Sequence, residues 1–65
     1  MGDITDYFEA QPDDVRRFIL KAMSDAGGDG RDKASVRMLM QERFGDRYAV
    51  DQLDTLWTAA LWITR

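Results

Sequence analysis

Apolar residues recur at helical spacing in four stretches of the chain, and most densely in the last. From Val50 onward, Val50, Leu53, Leu56, Trp57, Ala60 and Leu61 fall on one face of a helix. The spacing predicts that this helix begins near Ala49 or Val50 and runs to the end of the chain. It carries both tryptophans and more apolar surface than any other segment. The remaining segments must cover that face, so the last helix is expected to organise the fold.

The upstream pattern supplies the cover. Ile4, Tyr7 and Phe8 follow Asp3 at i, i+3 and i+4, which predicts a short helix over Ile4–Ala10 capped by Asp3. Pro12 ends it and suits the first turn of a second helix, over Pro12–Asp25. Val15, Phe18, Ile19, Ala22, Met23 and Ala26 form its inner stripe, while Leu20 points away and is expected to lie under Tyr7 or Phe8. Asp13 with Arg17, and Lys21 with Asp25, are spaced for ion pairs one turn apart. Gly27 and Gly28 stop this helix. A third is predicted over Lys33–Phe44, capped by Asp32 or from an earlier start by Asp29, with Val36, Leu39, Met40 and Phe44 inward. Gly45 reads as its C′ residue.

No strand alternation and no internal repeat interrupts this pattern. The expected fold is therefore all-α, a compact bundle of three main helices plus a short N-terminal one, making a single domain over residues 1–65. A chain of 65 residues has no room for a second core. Neither disulfide nor histidine-bound metal supports this one, because cysteine and histidine are both missing from the sequence. Stability beyond about 3–5 kcal/mol is not expected of such a scaffold.

The same missing residues bear on chemistry. Without histidine or cysteine, Ser24 and Ser35 have no candidate base, and the acid pairs Asp3/Asp6, Asp13/Asp14 and Asp51/Asp54 sit where carboxylates stabilise helix starts. No enzyme activity and no cofactor is expected. Residues 25–36 have an outline like a calcium loop, with Asp25, Asp29 and Gly30 at its first, fifth and sixth positions. Gly27 and Val36 stand where two essential ligands belong, so no metal is expected and the segment reads as an interhelical turn. No apolar run is long enough to span a membrane, and no secretory signal is recognisable. Together with the missing cysteines this suggests a cytoplasmic protein.

The net charge of −3 is unevenly spread. Residues 1–14 hold five acids and no base, whereas residues 31–47 hold five bases and three acids. Lys33, Arg37 and Gln41 are spaced to make one exposed ridge, with Arg43 and Arg47 near its far end, and such a ridge can meet phosphates. A helix-turn-helix docking is not expected, because the last helix opens with Asp51 and Asp54.

The run V-R-R-F-I-L-K-A-M, a polar turn, K-A-S-V-R-M-L-M-Q-E-R-F-G and a final amphipathic helix resembles the DEK C-terminal domain family. The match covers roughly residues 13 to 63 and rests on Val15, Ile19, Val36, Arg37, Leu39, Phe44 and Gly45. The resemblance implies a small all-helical fold related to winged helices. It also implies DNA binding as in some members, with Lys33 and Arg37 the positions that would inherit it.

Trp62 points elsewhere. At about 100° per residue it falls opposite the core face of the last helix, beside Asp51, Thr55 and Thr58. Met38 is likewise off the inner face of its helix. Tryptophan is enriched where proteins bind one another. The leading expectation is a protein–protein interaction module, binding another protein or itself through an apolar patch of Trp62, Met38 and Leu20. The alternative is a nucleic-acid-binding helical domain using Lys33, Arg37, Arg43 and Arg47.

Overall fold

A computed structural model describes residues 3–27 and 30–64, with only the backbone described at Gly30, Arg31 and Asp32. It contains four helices: α1 (Ile4–Glu9), α2 (Asp13–Asp25), α3 (Gly30–Phe44) and α4 (Val50–Ile63). The described residues include no strand. α4 is the hub, packing on α1, α2 and α3, while α2 also packs on α3. The radius of gyration is 10.7 Å, matching the roughly 10.7 Å of a fully condensed domain of this length. The all-α expectation is met. Among the described residues no helix is long and apolar enough to cross a membrane.

Local chemistry fixes the helix ends. The Asp3 carboxylate accepts from the backbone N–H of Thr5 at 3.0 Å and from the Thr5 hydroxyl at 2.7 Å, satisfying one donor that a helix start leaves open. Pro12 stands just before α2 and accepts the first helical bond from Arg16 N–H at 3.1 Å. Gln52 reaches back to the Ala49 N–H at 2.8 Å; the reciprocal half of that cap is missing because Ala49 has no side-chain acceptor. Gly27 ends α2 in the left-handed region, φ 99°.

Gly45 has a different role from the C′ residue expected. Its φ is not positive. A Cβ there would sit 2.5 Å from the Gln41 carbonyl oxygen, so glycine is required by a close backbone approach.

The core holds Phe8, Val15, Ile19, Met23, Val36, Met40, Phe44, Leu53, Leu56, Ala59 and Ala60. Phe18 and Phe44 meet edge to face with centroids 5.3 Å apart, and Tyr48 continues the stack at 6.3 Å from Phe44. Several expectations need correction. α3 begins at Gly30, so Asp32 lies inside its first turn and not at the position before it; the alternative cap Asp29, like Gly28, lies outside the described residues. Leu39 is not core: it is 44% exposed. Val50 is exposed because it opens α4 at the edge of the bundle, and Ala59, outside the expected inner face, is buried. Asp13 pairs with Arg16 and not with Arg17. Lys21 and Asp25 form no ion pair among the described residues.

Candidate functional site

The basic ridge is not a ridge. Lys33, expected in solvent, is only 4% exposed. Its stem fills the seam between α3 and α4, and its ammonium donates to the Thr64 hydroxyl oxygen at 3.1 Å, with the Thr64 carbonyl oxygen 3.5 Å away. That oxygen lies at the C-terminal end of α4, where the helix dipole favours a cation. The Thr64 hydroxyl donates in turn to the Ala60 carbonyl at 2.8 Å. The Lys33 carbonyl accepts the indole N–H of Trp57 at 3.0 Å. Lys33 thus joins the two helices through both its ends.

The three arginines are also engaged. The Arg37 guanidinium lies 5.3 Å from the Trp57 ring centroid and pairs with Asp54. Arg43 lies 4.9 Å from the Phe18 ring. Arg47 lies 5.7 Å from the Phe44 ring and pairs with Asp14 at 3.0 Å. Each cation covers the outer face of an aromatic that the core buries incompletely or at its margin. The Arg47 hydrogen bond is the main cause holding the Asp14 carboxyl below its ordinary value. These residues do not converge on one surface: Arg37 faces α4, while Arg43 and Arg47 flank the Phe18–Phe44 stack.

The expected apolar patch also separates into parts. Leu20 is half-buried against the core. Met38 is 68% exposed on the outer face of α3. Trp62 is 60% exposed, as its helical phase predicts, and it lines a groove of about 450 Å³ between the start of α1 and the end of α4. Ile4 and Ile63 complete the apolar lining, with Asp3 and Thr5 at the rim. Sequence reasoning missed both isoleucines, because the groove joins segments at opposite ends of the chain. The Thr55 and Thr58 hydroxyls donate to the carbonyls of Asp51 and Asp54, at 3.0 and 2.9 Å. That back-bonding satisfies the hydroxyls locally and makes this side of α4 less polar than its composition suggests.

Among the described residues the one charged side chain lining this groove is Asp3, which caps α1. Asp6 and Glu9 lie further along α1, and Asp51 and Asp54 lie at the opposite end of α4, Asp54 paired with Arg37. Hydrogen bonds from Thr5, chiefly its hydroxyl, and from the Asp6 backbone hold the Asp3 carboxyl below its ordinary value, so its negative charge persists into mild acid. Among the described residues no group of three acidic side chains is placed to hold a metal ion.

A second groove, of about 490 Å³, runs between α2 and α3. Phe18, Ala22 and Ala26 line it from one side, Val36 and Leu39 from the other. The sequence pattern does not show it, because helical spacing turns Leu39 inward. The small side chains of Ala22 and Ala26 leave open the space that longer ones would fill. No family model matches this chain, and neither does any curated protein or solved structure.

Proposed function

We propose that this chain is a small soluble protein–protein interaction module, and that its α1–α4 groove receives a basic, amphipathic segment of another protein. The observation that carries this reading is the large exposed fraction of Trp62 over a groove lined by Ile4 and Ile63. Burying such an aromatic in a partner yields more than burying any other side chain on the surface. The Asp3 carboxylate at its rim favours a partner of positive charge and disfavours nucleic acid and anionic lipid there. The missing cysteines fit a reducing compartment and support a cytoplasmic setting.

A lysine- and leucine-rich amphipathic peptide tests the reading. Its titration should shift the tryptophan emission of the wild-type chain to the blue. Trp62→Ala keeps Trp57 as an internal reference and should abolish both the shift and the binding. Equal binding by Trp62→Ala, or no binding by the wild type, would end the proposal.

The nucleic-acid alternative, and with it the DEK-like reading, has less support. Of the positions that would carry it, Lys33 is buried and Arg37 is paired with Asp54. A gel shift at low salt decides it: phosphate binding through Arg43 and Arg47 should then be at its strongest. Unshifted duplex and single-stranded probes would remove it.

A further inference from the structure

We propose that the groove between α2 and α3 is a self-association surface, at which two copies of this chain meet about a two-fold axis. The inference concerns a different face from the Trp62 groove and stands independently of it. It starts from Leu39, which is 44% exposed beside the half-buried Phe18 at the groove wall. A second apolar surface laid into this space would cover both.

The rim identifies the occupant. Lys21 and Asp25 both line the groove, one helical turn apart on α2. Their spacing allows an ion pair within the helix, though in the weaker order with the lysine first; none is formed, and neither pairs with another described residue. The groove therefore offers one free charge of each sign. A partner of uniform charge would gain at one and lose at the other. A second copy, with its α2 running antiparallel, gains at both: Lys21 meets the second copy's Asp25, and Asp25 meets its Lys21. That reciprocity is what a two-fold interface requires. The axis falls between the two charges, close to Ala22, whose methyl lets the helices approach. Dimerisation also adds apolar burial to a core too small to be very stable alone.

Sedimentation equilibrium on the full chain tests this. The wild type should pass from monomer to dimer as concentration rises, with a Kd below roughly 1 mM, the weak end of association. Leu39→Asp, at an exposed position, should keep the helical circular dichroism and raise the Kd by about tenfold or more, the equivalent of one lost apolar contact. Lys21→Glu and Asp25→Lys should each weaken the dimer. The double variant restores both reciprocal pairs and should return to within about threefold of wild type, the ordinary scatter of additive effects. Trp62→Ala should leave the dimer unchanged. A wild type that stays monomeric throughout overturns the proposal. So does a dimer indifferent to Leu39→Asp, a double swap that fails to recover, or a dimer lost with Trp62.

Discussion

The ammonium of Lys33 lies 3.1 Å from the hydroxyl oxygen of Thr64, thirty-one residues further along the chain. The contact ties the start of α3 to the end of α4 and gives the buried cation a partner at the negative end of a helix. Lys33→Met keeps the apolar stem and deletes the charge. It should cost about 1.5–3 kcal/mol, the range for hydrogen bonds to charged groups. Thr64→Val should cost less, and the double variant less than the sum, since both remove one interaction. Urea unfolding measures all three. A cost within about 0.5 kcal/mol of zero, normal for a surface lysine, would mean that the contact with Thr64 adds nothing to stability.

The second bond in this seam runs from Trp57 to the Lys33 carbonyl, and Arg37 closes it from outside. The Arg37–Asp54 pair is half exposed and contributes little by itself. The planar guanidinium over the indole contributes more, about 0.5–1 kcal/mol at such a site. Arg37→Lys retains the charge and loses the stacking. It should therefore destabilise nearly as much as Arg37→Ala, and a double-mutant cycle with Trp57→Phe should isolate any coupling that belongs to the full indole.

The seam also shows why the sequence could be read only in part. Asp3, the α2 stripe and the outward phase of Trp62 are local patterns, and the structure keeps all of them. α2 is strongly amphipathic, so its inner face was plain, whereas α3 is barely amphipathic. A lysine is buried there and a leucine exposed, because the end of α4 supplies an acceptor at one point and α2 withdraws behind alanines at another. Both causes are tertiary. On α4 three helices pack around one, so the buried arc widens to include Ala59. The Trp62 groove has the same character: its tryptophan was legible, while Ile4 needed the bundle to bring it there.

Leu56 is fully buried at the centre of the hub helix. Leu56→Ala should cost about 2–5 kcal/mol in lost burial and cavity formation. A scaffold this size has about 3–5 kcal/mol in total. The variant should therefore be largely unfolded at 25 °C, visible as loss of the far-ultraviolet helical signal. Met38→Ala, at an exposed position, should leave that signal intact.

The two described turn glycines make separable predictions. Gly27→Ala places a side chain at φ 99° and should cost about 1–2 kcal/mol, the penalty of the left-handed region. At Gly45 the obstacle is the Gln41 carbonyl, a backbone group that cannot swing aside. Gly45→Ala should cost about 1–3 kcal/mol, as overpacking does. It should also loosen the end of α3, raising amide exchange at Gly45 and Tyr48, whose N–H groups donate to Gln41 and Phe44. Gly27→Ala should leave those amides protected.

Acid sensitivity follows from Asp3 and Asp14. Both carboxyls titrate below the ordinary 3.8, Asp3 chiefly through the Thr5 hydroxyl and Asp14 chiefly through the Arg47 hydrogen bond. A depressed native pKa means that the unfolded chain binds protons first as pH falls. The stabilisation is therefore complete above the unfolded value of 3.8 and is lost as pH drops through the lower native values. The urea midpoint should be level near neutrality and decline below that point. Arg47→Gln removes the main cause at Asp14, so its decline should be shallower than the wild type's, as should that of Thr5→Val through Asp3. Both groups lie at the surface, where salt screens charge, and the difference between Arg47→Gln and wild type should shrink in concentrated salt. If the two acid limbs are parallel at low salt, the bond between Arg47 and Asp14 does not set the acid response of this fold.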